Sequence, residues 1–151
     1  MAGPFVFSCP IHGSVAPLSH CEDASFSQGK LGRGVLLLPA AHTLLSPAEA
    51  TVYFSFTTKH AVGLQTPQGV QFILHVGLDT YKLQGEGFQL HVRTGDQVSR
   101  GQPLLSFDPQ VLASAGYSPV IPFVFCNAAN RRLTVLKLGP IAAGEDLLLL
   151  H

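Results

Sequence analysis

The chain has 151 residues, of which 46% are apolar and only 12% charged, with nine basic side chains against nine acidic ones. That length suits one domain with a sizeable core. The even charge, with no basic cluster beyond Arg131-Arg132, argues against a nucleic-acid partner, and apolar runs such as 34–38 and 147–150 are far too short to span a membrane. No basic residue precedes the first apolar stretch, which speaks against a secretory leader and for a cytoplasmic protein. Cys9, Cys21 and Cys126 are odd in number and lack C-x-x-C spacing, so they read as reduced thiols.

Fifteen glycines and eleven prolines punctuate short apolar runs along the whole chain. This pattern predicts many short strands and an all-β domain. In chain order the expected strands are 13–18, 34–39, 50–56, 60–65, 70–76, 88–91, 103–107, 120–126, 134–138 and 147–150. Only 108–115 reads as helical, with Val111, Leu112 and Ala115 on one side and Gly116 as the stop. No linker or low-complexity stretch divides the chain. An internal echo relates Pro10-Ile11-His12-Gly13-Ser14-Val15 to Pro47-Ala48-Glu49-Ala50-Thr51-Val52. A third cue is the pair Gly95 and Gly101 around Val98. The layout suits an antiparallel β-sandwich built from duplicated hairpins.

The chemistry concentrates at His60 and His75. Between them lies a turn at Thr66-Pro67-Gln68-Gly69. If Gln65 opposes Val70 across that turn, stepping back one residue on each side brings His60 opposite His75. Opposed Cβ atoms in an antiparallel pair stand about 5 Å apart, so the two imidazoles would share a phosphate, a metal ion or a proton. Thr58, two residues before His60, is placed to bond one ring nitrogen and fix its tautomer. Asp79 follows His75 by four residues and shapes the field there, and Gly77 keeps the approach open. On this register Val62, Leu64 and Ile73 continue the histidine face as an apolar row. The remaining histidines, 12, 20, 42, 91 and 151, read as ordinary polar side chains. Phe26 and Phe56 read by default as core, Asp23 beside Glu22 as a solvated loop pair, and Gly85-Glu86-Gly87 as a turn without the Walker pattern.

Three blocks follow one another at a familiar spacing: Thr58-Lys59-His60-Ala61, His75-Val76-Gly77-Leu78-Asp79-Thr80 and Leu83-Gln84-Gly85-Glu86-Gly87-Phe88. Together with Pro10–Gly13, Asp23–Phe26, Gly95–Gly101, Phe107-Asp108, Pro122–Asn127 and the stretch 139–150, they closely resemble the glucose-type enzyme IIA domain of the bacterial phosphoenolpyruvate-dependent sugar phosphotransferase system. Nearly the whole chain is covered. The resemblance implies one IIA domain over 1–151, folded as an antiparallel β-sandwich with duplicated hairpins and short helices. It implies that His75 accepts a phosphoryl group from the phosphocarrier protein HPr and passes it to a cysteine of an enzyme IIB domain. It also implies that His60 steadies that group, that Thr58 orients His60, and that Asp79 and Asp23 meet cationic side chains of the donor. Phe26, Phe56 and Ile73 would form the docking apron. No cofactor is implied. Three positions depart from the family pattern: Gly32-Arg33-Gly34 stands where Gly-Asp-Gly is usual, Ala24-Ser25 where an aliphatic pair is usual, and Ala50 where the second repeat has glycine.

Two other classes fit parts of the chain. His75-Val76-Gly77-Leu78-Asp79 matches the H-x-G-x-D ligand pattern of lysostaphin-type zinc endopeptidases, but the partner H-x-H segment is here Gln89-Leu90-His91. A regulatory binding module with weakened transfer would keep the fold and use its apron alone. Adventitious zinc at His60 and His75 is a further expectation. The sugar served, and whether the chain stands alone or belongs to a larger transporter, stay open at this stage.

Overall fold

The structure, a computed structural model, describes residues 4–151. Its strands are β1 (Phe5–Ser8), β2 (Gly13–Pro17), β3 (Arg33–Pro39), β4 (Thr43–Leu45), β5 (Ala50–Ser55), β6 (Ala61–Gln65), β7 (Gln71–His75), β8 (Phe88–Leu90), β9 (Gln97–Val98), β10 (Pro103–Phe107), β11 (Ile121–Phe125), β12 (Leu133–Val135), β13 (Gly139–Ile141) and β14 (Asp146–Leu150). Two short helices, α1 (Ala24–Ser27) and α2 (Pro109–Ser114), and two single 3-10 turns, Leu18–His20 and Thr80–Leu83, complete it. The all-β expectation holds. Asp108 caps α2 through its carboxylate and Pro109 opens the helix, as the sequence suggested for this segment. The sequence pattern passes over β1, β4, β9, β13 and α1. Each is short, and β1 finds its partner β14 from the far end of the chain.

One eight-stranded sheet runs in the order β13-β2-β3-β11-β7-β6-β5-β9. Two three-stranded sheets, β1-β14-β12 and β4-β10-β8, supply the facing side chains. The large sheet is laid out about a pseudo-twofold between β11 and β7. On this scheme β2 matches β5, β3 matches β6, and the edge strands β13 and β9 correspond. The echo between the segments at Pro10 and Pro47 is the sequence trace of that duplication, since Gly13 opens β2 and Ala50 opens β5. Ala50 in place of glycine leaves the start of the second hairpin intact.

The main core fills the space enclosed by one face of the large sheet and the two small ones. Val35, Leu37, Val62, Leu64, Phe72, Leu74, Phe123 and Phe125 meet Phe7, Leu44, Leu105, Leu148 and Leu150 there. Phe7 is its aromatic hub, edge-on to Phe72 at 5.5 Å and to Phe125 at 4.9 Å between centroids. On the opposite face of the large sheet a second apolar cluster forms from Leu18, Cys21, Phe26, Leu36, Leu78 and Val124, with Ile73 packed against it. That outer cluster carries the histidine site.

The β6–β7 turn differs from expectation by one residue. Thr66, not Gln65, is bonded to Val70, and Gly69 N–H returns to the Thr66 carbonyl with Gly69 at φ +89°. Pro67 at the second position and a left-handed glycine at the end make a three-residue loop. The ladder therefore opposes Gln65 to Gln71 and Ala61 to His75. Asn127 braces the turn, donating to the Gly69 carbonyl and accepting from Gln71 N–H, each at 2.8 Å. One consequence corrects the expected apolar row: Val62 and Leu64 point into the main core, on the face opposite His75 and Ile73.

Because Phe7 is fully buried against three other aromatic rings, Phe7→Ala is expected to cost about 3–5 kcal/mol. Leu38→Ala, at an exposed position, is expected to stay within about 0.5 kcal/mol. Urea denaturation of the two variants checks this; equal midpoints would disprove the central place of Phe7.

Candidate functional site

His75 is the last residue of β7, and its side chain lies on the outer face with Ile73. Its Nδ1 stands 2.8 Å from the Gly77 carbonyl. A carbonyl only accepts, so Nδ1 carries the proton and Nε2 keeps its lone pair. No hydrogen bond engages Nε2 among the described residues. The acceptor is held in place by its own surroundings. Gly77 has φ +80° and donates to the Val120 carbonyl, Leu78 N–H donates to the Ser118 carbonyl, and the buried Thr80 hydroxyl donates to the Val76 carbonyl at 2.5 Å. A side chain at position 77 would strike Thr80 and the Ser118 carbonyl. Glycine is thus required there by both torsion and space.

His60 precedes β6 and is 5% exposed. The corrected register would place its side chain with Val76, on the core side, if the strand ran on unbroken. It does not. Lys59 is left-handed at φ +61°, and its N–H closes a turn onto the Phe56 carbonyl. His60 N is thereby delivered from a bend while its carbonyl accepts from Val76 N–H at 2.7 Å. The ring reaches the outer side, and the two imidazoles meet at 4.8 Å between centroids and 81° between planes. Thr58 belongs to this turn rather than to a strand, and its Oγ1 lies 2.8 Å from Nδ1 of His60. The expected contact is present, and the turn makes it.

Burial pushes the His60 imidazole down to about 4 from 6.5, helped by the neighbouring His75 ring and opposed by the Thr58 backbone. Burial also lowers His75; the Gly77 carbonyl and the charges of Asp23 and Asp79 partly offset it. Both rings are therefore neutral at pH 7, the state in which an imidazole is a nucleophile.

The other expected site residues surround the pair unequally. Phe56 is 45% exposed and stacks on His60, 5.1 Å away with 9° between planes. Ile73 is half-buried. Phe26 is only 5% exposed; its ring backs His75 at 5.2 Å, so it is a buried support for the imidazole, in line with the core reading and less open than the resemblance implies. Asp23 caps α1 by accepting from Ser25 N–H at 2.9 Å. Asp79, at φ +60°, starts the 3-10 turn. These two carboxylates, with Glu22, Tyr117 and Ser118, line an open cleft of about 500 Å³ beside His75. Sequence reasoning missed Tyr81, 51% exposed, whose ring lies 6.4 Å from that of His60. Its position in a turn after Asp79 left no periodic signal to find it by. It also missed the Gly77 carbonyl, which a sequence does not display.

Arg33 sits away from the site. Its neighbours Val35 and Leu37 face the main core, while Gly34 and Leu36 lie on the outer side. The guanidinium donates to the carbonyls of Ala128 and Arg131. Its charge is spent on closing the 127–132 loop and not on the histidine face. His91, the third ligand a zinc endopeptidase would need, is instead bonded to Ser106 at 2.7 Å in a small sheet. Among the described residues no three metal-ligating side chains gather, so His60 and His75 offer a metal ion two nitrogens at most.

A family model described as phosphoenolpyruvate-dependent sugar phosphotransferase system, EIIA 1, matches residues 6–131. The chain belongs to this family. The glucose-specific EIIA component of Oceanobacillus iheyensis is 36% identical over 141 residues, 93% of this chain and 86% of that protein. The beta-glucoside-specific EIIBCA component of Bacillus subtilis is 37% identical over 146 residues; this chain spans 24% of its length. The glucose permease IIA of Mycoplasma capricolum superposes with a TM-score of 0.94 at 30% identity, over 98% of this chain and 96% of that one. The chain is thus an EIIA component of a phosphoenolpyruvate-dependent sugar phosphotransferase system, with its family's antiparallel fold. No helix among the described residues is long and apolar enough to cross a membrane.

The depressed imidazole of His60 has a stability consequence. Between pH 6.5 and about 4 the unfolded chain binds a proton at this residue that the folded chain refuses. Stability is therefore full above pH 6.5 and falls on acidification through that window, by on the order of 2–3 kcal/mol from His60. We expect His60→Gln to flatten this slope in urea denaturation at stepped pH, leaving the smaller part due to His75. An unchanged slope would show that His60 titrates normally.

Proposed function

We propose that this EIIA chain forms one domain over 1–151 that relays a phosphoryl group through Nε2 of His75. The observation that carries the reading is the hydrogen bond from His75 Nδ1 to the Gly77 carbonyl, which leaves Nε2 as the free nucleophile beside a second imidazole. The donor is the phosphohistidine of HPr. Its N–P bond breaks as the bond from phosphorus to Nε2 of His75 forms, while the proton stays on Nδ1 of His75, hydrogen-bonded to the Gly77 carbonyl. In delivery the new N–P bond breaks as a cysteine thiolate of the enzyme IIB domain takes the phosphorus. The protein's share is positioning and charge stabilisation.

The phosphoryl group brings about two negative charges. With Thr58 donating to Nδ1 of His60, Nε2 of His60 carries a proton and donates to a phosphoryl oxygen. His60 is rigid in this role because Phe56 stacks on one face and Thr58 holds one nitrogen. Phe56 and Ile73 supply the exposed apolar contact, Phe26 supports it from below, and Asp79 and Asp23 meet cations of the donor. Fusion of EIIA with EIIB in the EIIBCA relatives supports a IIB acceptor, and the relay would run on the cytoplasmic side of the transporter.

Incubation with phosphoenolpyruvate, enzyme I and HPr should place an acid-labile phosphate on His75. His75→Ala should accept none. His60→Gln should still accept it but deliver it to a IIB cysteine about a hundredfold more slowly, the scale of losing one preorganised donor. Acceptance by His75→Ala, or normal sugar-dependent turnover by His60→Gln, would overturn the assignment of roles. Binding of transporters without any labelled phosphate would favour the regulatory module instead.

A further inference from the structure

The rim of the site is not of one sign. On the His75 side stand Asp23 and Asp79, whose charges act on that imidazole; no carboxylate acts comparably on His60. On the His60 side stand Lys59 and Lys82, both exposed. Lys59 immediately precedes His60 in the left-handed turn, and its aliphatic stem lies along the backbone of Gly85. Lys82 closes the 3-10 turn and sets its ammonium 5.9 Å from the centre of the Tyr81 ring, which in turn lies 6.4 Å from the His60 ring. Lys59 is thus the chain neighbour of the buried imidazole, Lys82 adjoins the Tyr81 ring next to it, and Tyr81 and Phe56 present exposed aromatic surface near His60.

Resting on the relay reading above, we infer that Lys59 and Lys82 form a cationic docking edge for the IIB acceptor, which carries carboxylates opposite them. Three observations lead there. The edge adjoins the exposed aromatics of the docking face, so a partner seated over His75 covers it. Its sign is opposite to that of the Asp23 and Asp79 edge, so a partner with cations all round would be repelled along the His60 side. A protein surface with cations on one side and carboxylates on the other fits in a single orientation. Committing the edge to IIB follows from the EIIBCA relatives, in which EIIA and EIIB belong to one component, so that the two domains are produced together.

The test is stopped-flow transfer from the phosphorylated EIIA chain to the purified IIB domain of its own transporter. Wild type, K59E/K82E and K59R/K82R are compared as salt rises from about 0.01 M to about 1 M, over which the screening length falls from about 30 Å to about 3 Å. At low salt the glutamate variant should transfer about tenfold more slowly, the loss lying in the second-order rate constant. The gap should close at high salt, and the arginine variant should match wild type. Acceptance from HPr should change less than delivery to IIB. Equal rates for wild type and K59E/K82E at low salt would overturn the inference, as would a deficit that salt does not remove or a larger deficit in HPr acceptance. Absence of any transfer by wild type would instead remove the relay reading, and the docking edge with it.

Discussion

One hydrogen bond decides what His75 can do. With Nδ1 donating to the Gly77 carbonyl, the ring has a single tautomer and a single free lone pair. A freely rotating imidazole would divide its population between tautomers and orientations. The acceptor carbonyl is itself fixed by bonds from Gly77 to Val120, from Leu78 to Ser118 and from Thr80 to Val76. The strand end, the loop before β11 and the 3-10 turn thus together hold the segment 76–78 that carries the acceptor oxygen. The site sits where the regular ladder of β7 stops, so the nitrogen can stand at the surface while its orientation is set by the sheet beneath.

The second constraint is the bend before β6. A regular strand would send His60 to the core side, because successive side chains alternate. The left-handed Lys59 breaks that alternation two residues before the strand begins at Ala61. Burial of His60 then does two things at once. It keeps the imidazole neutral, and it holds the ring still against Phe56 and Thr58. The cost is a group that resists protonation and so loses stability for the fold in acid.

Duplication gives the sheet its balance, and the site breaks it. β7 and β11 lie side by side at the pseudo-twofold, yet only β7 ends in histidine. The outer cluster of Leu36, Val124, Ile73 and Phe26 runs across the central strands and meets the histidine pair at one end. An apolar layer there serves as a minor core and, in the proposed relay, as the floor of the docking face. Phe26 shows the overlap: it is buried, and it is also the wall behind His75.

The strand-rich class, the duplicated hairpins, the α2 helix and the two histidines with Thr58 were legible because they rest on local chemistry. Glycine and proline mark turns, Val111, Leu112 and Ala115 share one helix side ahead of Gly116, and His-x-Gly-x-Asp and Thr-x-His are contiguous motifs. The strands β1, β4, β9 and β13 were not legible, being two to four residues long and defined by partners far along the chain. The register was misread by one residue because a Pro-x-Gly segment is compatible with loops of three or four residues, and the choice fell to Thr66 and Asn127. Likewise Arg33 reads in sequence only as a departure from the family's Gly-Asp-Gly, and it took the structure to show its guanidinium donating to the carbonyls of the 127–132 loop. By itself the sequence determined which residues are the candidates for the chemistry, since identity and short spacing are properties of the chain. Only the tertiary structure decided that the two imidazoles meet, because that depends on one left-handed backbone angle and one turn length, and neither is encoded in hydrophobic period.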